Sequence, residues 1–313
     1  RIRGAVLLDT DKGICMIKTY AAGKNRLLFE ENIKKLLIDG GYSDVDYVIP
    51  NTDGELLTDD NSGNRWLMKK WYNGEECDIK DIHKVLPVSA NMAVLHKIMV
   101  MGQKNAEGMP VKTKKMDLQS IFLSHNKEIK RVHSYIREKR QKNEMEICLL
   151  NSYQNFFEQG NVAEEFLKDS GYDKLYEETV RHGRIVHGSY NYHNIILSGD
   201  RVITTNFERA DIGIQIIDLY DFLRKVMEKN SWNMETGIQI IEEYNKQRKL
   251  GKEEQKVLYA LLLYPEKYWK LVNFYYNGKK SWMSAKNYEK LQRICSQEQE
   301  RHKFLKEVKK LLI

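Results

Sequence analysis

The chain has 313 residues, of which 42% are hydrophobic and 30% charged, and its formal net charge is +7. A chain of this length can form about two domains or lobes. So mild a charge does not indicate a nucleic-acid partner, and we expect none. No run of about 18 apolar residues occurs, which predicts no membrane span. The first residues carry charges and do not form a secretory signal, so we expect synthesis without one.

The first part of the chain is predicted to form strands around a single helix. Four short apolar stretches bounded by turn residues have the length of strands: residues 4–8, 14–18, 45–49 and 65–71. A helix is predicted near residues 25–39, because Leu28, Ile33 and Leu37 share one face, and Gly40 and Gly41 end it. Residues 1–72 are therefore predicted to be a small β-rich lobe.

Most of the chain after residue 87 has helical periodicity. Helices are predicted at 88–101, over 118–181 with breaks near Gly160 and Gly171, and from Asp218 to the end, and residues 102–117 are predicted to be a polar loop. One compact hairpin interrupts the helices at residues 185–205. We therefore predict an α+β fold, with a hinge at 73–86 and a large helical lobe over 87–313.

One segment of the hairpin has the spacing of a known catalytic loop. Residues 187–194 read H-G-S-Y-N-Y-H-N, and Asn206, Phe207 and Glu208 follow twelve residues after the loop. Protein kinases have H-R-D-x-x-x-x-N and then D-F-G at this spacing, and small-molecule kinases have H-G-D and D-F-E. The order of elements and this motif together predict a protein-kinase-like bilobal fold. Ser189 and Asn206 stand where the two aspartates are expected.

The nucleotide-binding residues of such a fold can be assigned by position. Phosphoryl transfer needs a lysine that holds the phosphates and an acid that holds the lysine. Lys18 at the end of a strand is the candidate lysine, and Glu31 on the following helix is its predicted partner, with Glu30 as the alternative. Trp71 precedes the hinge and is assigned to the nucleotide pocket. No G-x-G-x-x-G occurs, and the first hairpin turn contains two aspartates, which argues against ordinary handling of ATP.

The predicted catalytic and metal-binding residues are altered. The hydroxyl of Ser189 has no useful basicity at neutral pH, so it cannot replace the catalytic aspartate. Asn194 could bind a metal through its carbonyl oxygen or could only hold the loop, and Asn206 offers a neutral oxygen in place of a carboxylate. Glu208 could supply the missing charge, so we predict a weak or vestigial metal site.

Two residues are assigned to holding the loop rather than to the reaction. His187 begins the loop and is expected to pack and hydrogen-bond as a scaffold. Asp218 begins the segment D-L-Y and is expected to brace the loop backbone. A structural role of this kind needs no surviving chemistry.

An ordered set of motifs resembles the CotS-type spore coat proteins of spore-forming Gram-positive bacteria, which are related to aminoglycoside and choline kinases. The motifs lie at residues 3–4, 11–13, 71–78, 95–97, 187–194, 205–207, 218–225, 228–232, 264–270 and 280–282. The resemblance covers nearly the whole chain. It implies synthesis in the mother-cell cytoplasm, a place in the spore coat, and other coat proteins as partners.

Two functions remain open on the sequence. The first is a pseudokinase that acts as a scaffold or binding module, and the second is an active phosphotransferase that uses ATP and Mg²⁺ with unusual chemistry. The basic segment 127–142 is either a solvated helix face or an anionic docking surface. The four cysteines form no C-x-x-C pair and are expected to be buried thiols.

Overall fold

The fold is described from a computed structural model, which describes residues 4–102, 117–277 and 285–313. The chain divides into two compact units, each built from separate stretches. The first comprises Arg1–Thr113, Glu177–Leu223 and Gln239–Lys249, and the second comprises Lys114–Tyr176, Arg224–Ile238 and Leu250–Ile313. The lobe boundary at 73–86 stays a prediction. The motif at 280–282, residue 3 and loop residues 103–116 lie outside the described residues.

A five-stranded antiparallel sheet lies at the start of the first unit. Its strands are β1 (Ala5–Thr10), β2 (Gly13–Thr19), β3 (Val48–Ile49), β4 (Thr58–Asp59) and β5 (Arg65–Lys70). The order is β1-β2-β5-β3, and β4 also pairs with β5. The predicted strands at 4–8, 14–18 and 65–71 are thereby confirmed within two residues at each end, and the predicted strand at 45–49 is reduced to its last two residues.

Helix α1 (Lys24–Asp39) follows the first hairpin and buries Leu27, Ile33 and Leu37 completely. The expected place of Leu28 on that face is wrong, because Leu28 is exposed and Leu27 takes the buried position. The helix ends before Gly41, whose φ of 87° is a conformation that favours glycine.

A second, three-stranded sheet carries the motif segment. It contains β6 (Glu75–Glu76), β8 (Ile195–Ser198) and β9 (Arg201–Thr204) in the order β6-β8-β9. Strand β7 (Ile185–Val186) pairs instead with β10 (Asp211–Ile212). The predicted hairpin is confirmed, and the strand β6 lies inside the segment predicted as a hinge.

The remaining elements are helices, which confirms the α+β class. They are α2 (Ile82–Ile98), α3 (Leu118–Glu138), α4 (Glu144–Lys168), α5 (Tyr172–His182), α6 (Ile216–Lys229), α7 (Met234–Gln247), α8 (Lys252–Leu263), α9 (Glu266–Asn277), α10 (Ala285–Ser296) and α11 (Glu298–Leu312). Within the described ranges, none is long and apolar enough to cross a membrane.

Two predicted helix boundaries are wrong for local reasons. Helix α2 begins at Ile82, six residues before the predicted start, because the Asp81 side chain caps it by accepting from the backbone N–H of His83. The predicted break near Gly160 is absent, since α4 runs through it. A Cβ at Gly160 would lie 2.4 Å from Oδ1 of Asn126 on α3, so this glycine permits close packing of two helices.

Candidate functional site

The backbone of the predicted catalytic loop is held by one buried carboxylate. Asp218, on α6, accepts hydrogen bonds from the backbone N–H groups of His187 (2.6 Å) and Gly188 (2.9 Å), and Nε2 of His96 lies 3.2 Å from Oδ2. Gly188 has a φ of 70°, and a Cβ there would lie 2.3 Å from the carbonyl oxygen of Arg209. These contacts hold the backbone at the start of the loop, and the role of Asp218 as a brace stays a prediction.

His187 is buried and uses both ring nitrogens inside the loop. Its Nδ1 accepts from the backbone N–H of Ser189 (3.2 Å), so Nε2 carries the proton and donates to the carbonyl oxygen of Thr205 (3.1 Å). Burial lowers the pKa of His187 below its usual 6.5, which keeps the ring neutral at pH 7. This arrangement leaves neither ring nitrogen for the reaction, and the scaffold role of His187 stays a prediction.

The two altered motif positions, Ser189 and Asn206, are joined through Asn194 by a chain of amide hydrogen bonds. Nδ2 of Asn206 donates to Oδ1 of Asn194 (2.9 Å), and Nδ2 of Asn194 donates to the carbonyl oxygen of Ser189 (2.8 Å). Asn206 has a left-handed backbone, with φ of 62°, and its N–H donates to Oδ2 of Asp46 (3.1 Å). Asparagine tolerates this conformation better than most residues. The side-chain oxygen Oδ1 of Asn194 therefore already accepts a hydrogen bond from within the protein.

Lys18 forms its ion pair with Glu208 rather than with the predicted Glu31. Glu31 instead pairs with Lys34, whose Nζ lies 2.7 Å from Oε1 of Glu31. Its other oxygen, Oε2, accepts a hydrogen bond of 3.0 Å from the backbone N–H of Val48. The predicted Lys18–Glu31 pair is thus wrong. The reason is the direction of the side chains: Glu31 faces the strand β3, whereas Lys18 faces the turn that follows Asn206.

The alternative acid, Glu30, is also engaged elsewhere. It is completely buried, and Oε1 accepts a hydrogen bond of 2.7 Å from the hydroxyl of Tyr20. Arg26 lies one helical turn before Glu30, with its Nε 3.8 Å from Oε1 of Glu30. Burial raises the pKa of Glu30, which disfavours its charged form.

A second buried lysine, missed by the sequence analysis, lies near the same carboxylates. Lys69 on β5 is fully buried, with Nζ 3.1 Å from Oδ2 of Asp46 and 4.0 Å from Oε1 of Glu208. Burial alone would lower the pKa of Lys69, but the two carboxylates outweigh it and raise that pKa. Asp46 shows the mirror effect: burial opposes its charge, but Lys34 and Lys69 lower its pKa. Lys69 and Asp46 are thereby kept in their charged forms.

The sequence did contain a signal for Lys69. Alternate residues of a strand face the same side, and Lys69 stands between Leu67 and Trp71, which are both buried. A lysine in that register must be buried and therefore paired.

A cavity of about 440 Å³ in the first unit brings three of the predicted residues together. Lys18, Trp71 and Asn206 line it, together with apolar side chains of β1, β2 and β8. Glu76 and His193 also line it and form an exposed pair, with Oε2 and Nδ1 2.7 Å apart. The cavity is thus aromatic and apolar in part, with the Lys18–Glu208 ion pair beside it.

Two of the three predicted magnesium ligands are engaged by side chains of the protein. Mg²⁺ takes several oxygen ligands and favours carboxylates. Oδ1 of Asn194 already accepts from Asn206, and Glu208 is paired with Lys18. Only Oδ1 of Asn206 is buried with no hydrogen-bond partner among these three. Across the described ranges, no group of three or more His, Cys, Asp or Glu side chains is placed to hold a metal.

A comparison with protein families identifies the chain. The family described as "Spore coat putative kinase YutH" matches residues 6–308. The chain belongs to this spore coat family. The predicted resemblance to CotS-type proteins is thereby confirmed. A comparison with curated proteins found no match.

Solved structures show the fold. An aminoglycoside phosphotransferase from Alicyclobacillus acidocaldarius is 14% identical, with a TM-score of 0.88 over 99% of this chain and 90% of that one. A spectinomycin phosphotransferase in complex with ADP and spectinomycin is 12% identical, with a TM-score of 0.56 over 94% and 89%. An amicoumacin kinase in complex with AMP-PNP and Ca²⁺ is 11% identical, with a TM-score of 0.53 over 97% and 89%. The predicted kinase-like phosphotransferase fold is confirmed.

Proposed function

We propose that this member of the spore coat family is a pseudokinase, which acts in the coat as a scaffold or binding module for other coat proteins. The observation that carries the proposal is the ion pair between Lys18 and Glu208. In a working site the lysine at this position holds phosphate oxygens. Here a carboxylate of the chain itself takes the place of that anion.

The rest of the loop supports the same conclusion. Three components of phosphoryl transfer are altered together: the base position holds Ser189, the metal position holds the neutral Asn206, and Lys18 is already neutralised. A triphosphate would have to break the Lys18–Glu208 pair and would then lie beside an unpaired carboxylate. Each change disfavours the reaction by its own mechanism, so restoring one of them is not expected to restore transfer.

The second candidate function is an active phosphotransferase that uses ATP with Mg²⁺. The braced loop favours it, because Asp218 holds the backbone in place and Asn206 keeps a left-handed conformation. Structures of similar fold contain ADP or AMP-PNP and a small-molecule substrate, and the 440 Å³ cavity could take such a nucleotide. Glu208 would then have to leave Lys18 to bind a metal.

A transfer assay separates the two candidates. The wild-type protein would be incubated with γ-labelled ATP, Mg²⁺ or Mn²⁺, and solubilised spore coat proteins as acceptors. Lys18→Ala removes the candidate phosphate lysine, and Lys12→Ala is the matched control, since Lys12 is an exposed lysine in the first hairpin turn. We expect the same background labelling with all three proteins. Labelling that persists in Lys12→Ala and disappears in Lys18→Ala would establish the phosphotransferase instead.

A further inference from the structure

Two cysteines that are far apart in the sequence lie on one cavity of the second unit. Cys148 is on α4 and Cys295 is on α10, and both line a cavity of about 570 Å³ together with Ser152 and Tyr288. Both cysteine residues are partly exposed, in contrast to the buried Cys15 and Cys77. The expectation that all four cysteines are buried thiols is therefore wrong for this pair.

The two cysteines also influence each other. Each thiol is among the groups that shift the pKa of the other. The hydroxyl of Ser152 donates to the carbonyl oxygen of Cys148 at 2.8 Å. Both cysteines pack against one hydrophobic cluster formed by α3, α4, α9 and α10. The packing of α4 against α10 thus places both cysteines on one cavity.

The surroundings of both cysteines disfavour their thiolate forms. Burial raises the pKa of the Cys148 thiol and raises that of Cys295 to about 12. Both groups are therefore protonated at neutral pH, and they react more slowly than thiols of low pKa. The cavity supplies the access that such a reaction needs.

We propose that Cys148 and Cys295 are a redox-active dithiol, which a peroxide converts to an intramolecular disulfide. The sulfur of one cysteine attacks a peroxide oxygen, which forms a sulfenic acid and releases one water from hydrogen peroxide. The sulfur of the other then displaces the hydroxyl group as a second water. Two S–H bonds are lost and one S–S bond is formed, and the two electrons reduce the peroxide. The bond joins α4 to α10.

The disulfide would change the stability of the second unit. It would close a loop that runs from α4 to α10, and a long closed loop restricts the unfolded chain strongly. We therefore expect the oxidised protein to unfold several degrees above the reduced protein, and we expect a reductant to reverse the change.

Peptide mapping tests the proposal. The reduced protein is treated with hydrogen peroxide, free thiols are alkylated, and the digest is analysed by mass spectrometry without reduction. A parallel sample of dithiothreitol, which active peroxide oxidises, confirms that the oxidant is active. Cys148→Ser and Cys295→Ser each remove one member of the pair. Cys15→Ser is the matched control, because Cys15 is a buried thiol of the first unit.

The expected result is a linked Cys148–Cys295 peptide in the wild type and in Cys15→Ser, with a higher midpoint of thermal unfolding that a reductant lowers again. Neither the link nor the shift should appear in the two single variants of the pair. The proposal is overturned if both thiols remain alkylatable. It is equally overturned if they proceed to sulfinic acids without a link, or if Cys148 or Cys295 links to another cysteine.

Discussion

Replacing Glu208 with glutamine removes the charge that neutralises Lys18 and keeps the size of the side chain. In the wild type, a phosphate group that approaches Lys18 must displace Glu208 and remain near its carboxylate. In Glu208→Gln, Lys18 is free to pair with the phosphate. We therefore expect the variant to bind ATP more tightly than the wild type, even without metal.

The size of the gain follows from the geometry. Two like charges roughly 5 Å apart interact by about 3 kcal/mol at the effective dielectric constant of partly buried sites. The Glu208 side chain is 36% exposed, and solvent screening reduces the interaction to about 1.4 kcal/mol. This corresponds to about a tenfold decrease in the Kd for ATP. Adenosine, which has no phosphate, should bind both proteins equally.

Calorimetric titration with ATP and with adenosine measures both expectations. Glu76→Gln is the matched control, because Glu76 lines the same cavity and loses the same charge without contacting Lys18. The double variant Lys18→Ala, Glu208→Gln should lose the gain. The reasoning is refuted if Glu208→Gln binds ATP no better than Glu76→Gln, or if the gain survives without Lys18.

Three further predictions concern the loop. Asp218→Asn replaces a charged acceptor of two backbone N–H groups and should lower the free energy of unfolding by about 2–3 kcal/mol, measured as a lower urea midpoint at constant slope. Gly188→Ala places a Cβ 2.3 Å from the carbonyl oxygen of Arg209, at a residue with positive φ. It should lower the free energy of unfolding by about 1–3 kcal/mol in the same titration. An unchanged midpoint would contradict the loop geometry. The pKa of His187 is lowered in the folded state. Its contribution to the free energy of unfolding is therefore complete above about pH 6.5 and is lost as the pH falls through the folded pKa. Urea midpoints between pH 7.5 and 5 should therefore decline, and His187→Gln should show a smaller slope.

Local patterns predicted most elements of the fold. Strand-length apolar stretches and the helical spacing from 25 to 39 correspond to elements of the structure, because burial of one face selects side chains at a fixed period. Gly160 misled the prediction, since a glycine can end a helix or let a neighbouring helix approach. The choice depends on Asn126, which lies on another helix.

The pairings in the site could not be predicted in the same way. The proximity of Ser189, Asn194 and Asn206 could be predicted from the sequence, because the three residues belong to one short hairpin. The partner of Lys18 is 190 residues away, and its identity depends on which way two side chains point. No local period records that direction.

The most direct test of whether Lys18 stays paired with Glu208 is thermal unfolding of the wild type with ATP. The measurement is made in EDTA and then in Mg²⁺ or Mn²⁺. A nucleotide at 100 times its Kd would stabilise the native state by about 2.7 kcal/mol, which is a shift of several degrees. The Lys18–Glu208 ion pair predicts the same midpoint with and without metal. A metal-dependent rise that disappears in Lys18→Ala would contradict the claim that Glu208 occupies Lys18.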